Sequence, residues 1–256
     1  GSVVVKAGAA ILSAAQIAGM EVTAAEDIMA TADADMATST FTAATGDVIV
    51  TAGNGMTDVT AAAADGDIMA DAAWITGLNA TASGDVLATA TAADGTINRG
   101  SLEGANVIAT ADGGIENLDV TAKDSATLTA SAGDITNGSV VVRNGGATLD
   151  AAQIAGMEVT AADAITATAT ADLATSTFTA ASGDITLTAT NGITDVTAGA
   201  ANGAITANGD WITGLNATAS GDVNATATAT INRSSLEGDT VTATGATGME
   251  NVDITA

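Results

Sequence analysis

Four aspartates that recur at intervals of 18 to 20 residues are the side chains in this sequence best suited to bind a cation: Asp27, Asp47, Asp67 and Asp85. Each directly precedes the apolar residue that opens a strand-like segment. Stacked in register, these carboxylates would lie about 5 Å apart, and their repulsion would favour a bound cation. Oxygen-only ligands are typical of calcium, so calcium is the only cofactor that the sequence suggests.

Turn formation is a simpler explanation of this aspartate ladder, and it is the one that we favour. Gly-Asp is a common turn dipeptide because the Asp side chain bonds to nearby backbone groups. The row of aspartates is also interrupted later in the chain, where the equivalent positions hold Ala164, Ala204 and Thr240. Calcium binding by the four aspartates is therefore a second hypothesis.

Threonines in Thr-x-Thr pairs form another pattern with binding potential. The clearest pairs are Thr166/Thr168, Thr186/Thr188 and Thr242/Thr244. Flat arrays of this kind resemble the ice-binding faces of insect-type antifreeze solenoids. Threonine is also a small, soluble residue that suits any exposed strand, and interruptions at Asn208 and Asn224 favour this plainer explanation.

Large apolar residues occupy one outward strand position in the first half of the sequence. The members of this apolar row are Ile11, Met29, Ile49, Met69, Leu87 and Ile108. The second half has Thr148, Thr166, Thr186, Thr206, Asn224 and Thr242 at the same positions. An exposed apolar stripe is either covered or prone to association, so we expect a docking surface for a second copy or another protein. The alternative is that the strand parity is reversed there and the six residues are core.

Composition excludes several classes of function. The 256 residues include no His or Cys, which excludes imidazole and thiol catalysis, disulfides and Cys/His metal sites. Five Lys and Arg against 30 Asp and Glu leave a formal charge of −25, which disfavours nucleic acid and anionic membrane surfaces. No apolar run is long enough for membrane insertion. The near-identical repeats offer no unique constellation of the kind that an enzyme needs, so we expect a protein that is not an enzyme.

Two nested repeats organise the chain. The segment that begins at Gly1 returns at Gly138, 137 residues later, and Trp74 returns as Trp211 at the same offset. Within each copy, apolar residues recur about every 19 to 20 residues in two columns, which predicts about 13 coils. We therefore expect a block of seven coils over residues 1–137 and a continuous block of six coils over residues 138–256.

The short unit predicts an all-β, single-stranded parallel β-solenoid. Ile185-Thr-Leu-Thr-Ala alternates apolar and polar residues with the period of a strand, and Leu215-Asn-Ala-Thr-Ala does the same, so each coil should hold two strands. An antiparallel sandwich also has short strands at such intervals. Here, however, like residues recur once per coil, so stacked coils would align Ile165, Ile185 and Ile205 and bury a thin core.

Segments such as Gly183-Asp-Ile-Thr-Leu-Thr-Ala and Gly221-Asp-Val-Asn-Ala-Thr-Ala resemble the coils of filamentous-haemagglutinin-type adhesins and other giant bacterial surface proteins. The resemblance implies a right-handed β-helix, an extracellular place on the bacterial cell surface, and an adhesive or spacer role. We expect a structural stalk or fibre segment whose partners are neighbouring repeats of a longer parent chain, and which self-associates or docks a protein through the apolar row. The alternatives are an ice-binding solenoid and a calcium-stiffened adhesin module.

Overall fold

The computed structural model describes residues 1–256, and it confirms the predicted fold: an all-β chain of coils whose strands pair in parallel from one coil to the next. Contacts divide the chain into two compact units, Gly1–Ser131 and Ala132–Ala256. The strands of unit 1 are β1 Ser2–Val5, β2 Ala10–Ala14, β3 Ile17–Ala18, β4 Glu21–Ala24, β5 Ile28–Ala32, β6 Met36–Ala37, β7 Thr40–Ala43, β8 Val48–Thr57, β9 Thr60–Ala63, β10 Ile68–Ala82, β11 Val86–Ala90, β12 Thr96–Ala111 and β13 Gly114–Ala130.

Unit 2 repeats this organisation with shorter strands. They are β14 Asp134–Thr136, β15 Ser139–Val142, β16 Ala147–Ala151, β17 Ile154–Ala155, β18 Glu158–Ala161, β19 Ile165–Ala169, β20 Leu173–Ala174, β21 Thr177–Ala180, β22 Ile185–Ala189, β23 Gly192–Thr194, β24 Thr197–Ala200, β25 Ile205–Gly209, β26 Trp211–Thr213, β27 Asn216–Ala219, β28 Val223–Ala227, β29 Thr230–Glu237, β30 Val241–Gly245 and β31 Gly248–Thr255. No segment of the chain forms a helix with the length and apolarity that a bilayer crossing requires.

Each coil has three strand-forming faces, so the expectation of two strands per coil was wrong. In some coils one strand continues through a corner, so that β8 covers two of the faces and β10 covers all three. The coil made by β5, β6 and β7 defines the three faces: face 1 at Ile28–Ala32, face 2 at Met36–Ala37 and face 3 at Thr40–Ala43. The second apolar column lies on the short face 2, and a corner separates it from face 3. The sequence suggested one strand there because the corner residue keeps no constant identity.

The corner between faces 2 and 3 is made by one residue per coil in the left-handed region. Thr38 has φ 44° and Arg99 has φ 54°, while Gly19 and Gly77 hold the same corner in other coils of unit 1. Where Ser39 follows the corner, its hydroxyl donates to the Ala37 carbonyl oxygen at 2.8 Å and accepts the Met20 amide at 3.2 Å. The tight bend is therefore stabilised by a buried serine as well as by the backbone.

The predicted apolar columns are stacked as expected. In unit 2, Ile165 pairs with Ile185 and Ile185 with Ile205, and all three are fully buried. Most other inward positions are alanine, so the sheets approach closely. Phe41 is the largest buried side chain of unit 1, and it fits because its face 3 neighbours are the smaller Val22 and Ala61.

Candidate functional site

The aspartate ladder is a continuous row of hydrogen bonds along one edge of face 1 in unit 1. The Asp47 amide donates to Asp27 Oδ1 at 3.0 Å, the Asp67 amide to Asp47 Oδ1 at 2.9 Å, and the Asp85 amide to Asp67 Oδ1 at 2.7 Å. Each side chain therefore accepts the amide of its counterpart one coil further on. The carboxylates are exposed, and this contact uses one oxygen of each bonded member.

The ladder ends on amide and hydroxyl side chains. Asp85 Oδ1 accepts both the backbone amide of Asn106 at 3.0 Å and its Nδ2 at 2.8 Å, and Ser125 Oγ donates to Asn106 Oδ1 at 2.6 Å. Unit 2 has a single counterpart of these contacts, in which the Ala204 amide donates to Asp184 Oδ1 at 2.8 Å. A row of adjacent carboxylates is thus a property of unit 1.

A glycine precedes three of the four ladder aspartates, Asp47, Asp67 and Asp85, and close packing requires it. A Cβ on Gly84 would lie 2.0 Å from Asp67 Oδ1, and a Cβ on Gly66 would lie 2.2 Å from the Gly46 carbonyl oxygen. The Gly-Asp pair noted in the sequence therefore acts between coils. Its glycine makes room for the carboxylate of the previous coil, and its aspartate bonds to the next.

The arrangement of the ladder differs from that of a closed calcium site. No group of three or more Asp, Glu, His or Cys side chains lies close enough together to hold a metal ion. Asp27, Asp47, Asp67 and Asp85 are instead spread along the stacking direction, and each bonded carboxylate already accepts a backbone amide. Bridging of their second oxygens by calcium stays a prediction.

The apolar row lies on the same face, two residues along each strand from the ladder. Ile11 pairs with Met29, Met29 with Ile49, Ile49 with Met69, Met69 with Leu87, and Leu87 with Ile108. Ile11 is 78 % exposed, and Met29, Met69 and Ile108 are 41 to 45 % exposed. Ile49 and Leu87 are half-buried, and none of the six side chains belongs to the core, so the alternative that they are core residues is wrong.

Unit 2 presents the same face with polar side chains. Thr148, Thr166, Thr186, Thr206, Asn224 and Thr242 pair in one row with the same coil-to-coil register. Thr168 pairs with Thr188 beside it, and that second row then continues with Asn208. The backbone therefore accepts either row, and the difference between the units lies in their surfaces.

The threonine row of face 3 is interrupted at the same coil in both units. Ala62 stands between Thr42 and Thr81, and Gly199 stands between Thr179 and Thr218. Each interruption leaves a shallow depression lined by small side chains. The face is therefore not a continuous threonine lattice.

Each tryptophan lies over a glycine of the preceding coil. Trp74 pairs with Gly55 and Trp211 with Gly192, and a Cβ on either glycine would fall 2.0 to 2.1 Å from an indole atom. The two rings are 39 to 41 % exposed. The alignment of glycine and tryptophan in one column could have been read from the sequence, since both precede the second apolar column.

Comparisons with protein-family models, with curated proteins and with solved structures find no match for this chain. By its fold, the chain is a parallel β-solenoid repeat protein. The pair of adjacent rows on face 1 of unit 1 is a surface that unit 2 lacks.

Proposed function

We propose that the chain is a structural segment of a large bacterial surface repeat protein, where it acts as a stiff stalk or spacer and carries one docking face. The observation that supports this most directly is the coil-to-coil register. The Ile165 amide donates to the Asp184 carbonyl oxygen and the Ile185 amide to the Ala204 carbonyl oxygen, each at 2.9 Å, so backbone bonds link successive coils. Such a stack resists extension through many equivalent contacts.

Mechanical unfolding of single molecules of the full chain tests the stalk role. Because coils contact mainly their neighbours, extension should proceed in steps that are multiples of about 70 Å, the extended length of one coil. Ile185→Thr, which places a hydroxyl at a fully buried apolar position, should lower the unfolding force of unit 2, and the neighbouring outward change Thr186→Val should leave that force unchanged. A single featureless extension would refute the stalk role.

Surface location is a separate part of the proposal. The chemistry that favours it is the net charge of −25 together with the absence of Cys, which suit an exposed and oxidising environment. Brief proteolysis of intact source cells, followed by detection with an antibody against this segment, should remove the signal without lysis. Protection of the segment until the cells are broken would contradict an extracellular stalk.

Ice binding by unit 2 is the second candidate function, since the register aligns Thr166, Thr186 and Thr206 in one row and Thr168 with Thr188 beside it. The full chain should then show thermal hysteresis, and Thr186→Asn should reduce it. A freezing point equal to the melting point at millimolar protein would exclude this candidate.

A further inference from the structure

The apolar row and the aspartate ladder run side by side along the stacking direction of unit 1. Met29 follows Asp27 by two residues, Ile49 follows Asp47, and Met69 follows Asp67, so each coil places both side chains on face 1. The two rows lie about 6.6 Å apart along the strands. The surface is therefore an apolar stripe with a negatively charged edge.

We propose that this surface binds a cationic amphipathic helix of another protein, lying along the stacking direction. The proposal rests on the docking role proposed above and specifies the chemistry of the partner. Apolar side chains of the helix would cover the apolar row. Lysine or arginine side chains on one flank of the helix would meet the aspartate ladder.

The spacing of the rows favours a helix over an extended strand. Successive coils place a side chain about every 4.8 Å, so the six members of the apolar row span about 24 Å. The apolar face of an amphipathic helix presents a side chain about every 5.3 Å along its axis, because these residues recur every three or four positions at about 1.5 Å per residue. One face of an extended strand presents one only about every 6.7 Å, which falls out of step after two coils. A helix of about 16 residues covers the row.

The charge of the surface favours a basic partner. Four carboxylates of the ladder stand in one column, and none of them forms an ion pair within the chain. Each pair of adjacent carboxylates repels at about 5 Å, and cations on a docked helix would relieve that repulsion. Electrostatic complementarity of this kind guides the partner and excludes acidic competitors.

A second copy of this chain fits the surface less well. It would bring another molecule of charge −25 against the same face, and mutual repulsion opposes that contact at low ionic strength. The affinity of this surface should depend on salt in opposite ways for the two occupants. Binding of a cationic helix should weaken as salt is added, whereas self-association should strengthen.

Titration of the full chain with a fluorescent synthetic peptide tests the proposal. The probe is a peptide of about 18 residues with leucine at i, i+3, i+4 and i+7 positions, lysine on one flank and alanine elsewhere. We expect saturable binding with increased helical circular dichroism, and weakening of about tenfold or more between about 0.05 and 0.5 M salt. A peptide of the same composition in scrambled order and a peptide with glutamate for lysine are the matched probes, and both should fail to bind.

Two sets of variants of the full chain locate the site. Met29→Thr, Ile49→Thr and Met69→Thr together should weaken binding by more than about tenfold, since they remove three of the six apolar side chains from the row. Unit 2 carries threonine at the equivalent positions, so the fold accepts these changes. Asp27→Asn, Asp47→Asn and Asp67→Asn retain the amide-accepting oxygen and should weaken binding by about threefold each.

The outcomes separate this proposal from the stalk role. Equal binding of the scrambled peptide, unchanged binding by either set of variants, or tighter binding at high salt would overturn the cationic helix as occupant. Salt-promoted dimerisation that displaces the peptide would assign the face to a second copy instead. If the triple threonine variant fails to fold, the asparagine variants and the salt series still test whether a cationic helix binds this face. Normal stepwise mechanical unfolding with no peptide binding would refute the helix proposal alone.

Discussion

Replacing Asp47 by asparagine and by alanine separates two opposing energies in the aspartate ladder. Asp47 Oδ1 accepts the Asp67 amide at 2.9 Å, a hydrogen bond to a charged group that is worth about 1.5 to 3 kcal/mol. Asp27 and Asp67 lie one coil away on either side. At about 5 Å in water, each of these two carboxylates repels the Asp47 carboxylate by about 0.8 kcal/mol. Together they destabilise the ladder at Asp47 by about 1.7 kcal/mol. The hydrogen bond and the repulsion nearly cancel.

Asparagine removes the charge and keeps the acceptor, whereas alanine removes both. We expect Asp47→Asn to change the free energy of unfolding of unit 1 by about +0.5 kcal/mol at low salt, since relief of repulsion exceeds the weaker hydrogen bond. We expect Asp47→Ala to lower it by about 0.5 kcal/mol. Exchange of the Asp67 amide hydrogen should quicken about fivefold in the alanine variant relative to the asparagine variant.

Asp184 is the matched control, because its Oδ1 accepts the Ala204 amide at 2.8 Å while both of its column neighbours are alanine. Each column also has an acid beside it, Asp65 next to the ladder and Asp163 next to the Asp184 column, so the two sites differ chiefly in their column neighbours. Asp184→Asn should therefore destabilise unit 2 by about 1 kcal/mol at any ionic strength. Near 1 M salt, where the Debye length is about 3 Å, the repulsion is screened and Asp47→Asn should instead destabilise unit 1 by about 1 kcal/mol, as Asp184→Asn does in unit 2.

Urea unfolding and amide exchange, each at low and high salt, measure these differences. Equal effects of Asp47→Asn and Asp184→Asn at low salt would show that the ladder carboxylates do not repel one another, which contradicts the reasoning. Unchanged exchange of the Asp67 amide in Asp47→Ala would show that the hydrogen bond contributes nothing. The same samples with calcium and with EDTA test the calcium hypothesis, because only a bridged ladder would melt higher with calcium and lose that shift in Asp47→Asn.

Three further changes test other parts of the fold. In a Trp211→Phe background, Gly55→Ala should displace the indole of Trp74 and shift its fluorescence to longer wavelength, and an unchanged spectrum would contradict the contact. Phe41→Ala should lower the free energy of unfolding of unit 1 by about 3 to 5 kcal/mol in urea, because the site is fully buried, and a loss below about 1 kcal/mol would contradict tight packing there. Thr38→Gly should raise it by about 0.5 to 1 kcal/mol by relieving the left-handed corner, whereas a decrease would mean that the threonine side chain contributes more than its strain costs.

The fold could be predicted because vertical stacking leaves a simple trace in the sequence. When each coil lies on the last, the same neighbours meet at every level, so apolar identity must recur with the period of the coil. Ile165, Ile185 and Ile205 carried that signal, and the register confirms it. The exposed apolar row was equally readable, since outward and inward positions alternate along each strand of face 1.

The third strand and its corner were missed for a physical reason. The left-handed corner requires a backbone conformation rather than a particular side chain, and Gly19, Thr38, Asp58 and Arg99 all supply it. A column of such different residues shows no pattern until the coils are already aligned. Enrichment in Gly, Asn and Asp at that position would then have located it.

The partners of the ladder aspartates could not be derived either. The sequence indicated stacked carboxylates, but whether they bind cations, their own turns or the next coil depends on where each amide points. The Asp67 amide points back at Asp47, so the turn is capped across coils instead of within one. This contact makes the aspartate useful to the fold even without a cation.

The two units show which part of the surface is free to carry function. Met29 and Thr166 occupy equivalent outward positions and pair with their neighbours in the same register, so the backbone imposes no choice between them. Aspartate at the ladder position contributes a hydrogen bond, but the fold does not require it either. Ala164 and Ala204 occupy the equivalent positions in unit 2. Six apolar side chains kept together beside four carboxylates are therefore not explained by folding. Because exposed apolar side chains cost solubility, both rows fit the docking face proposed above.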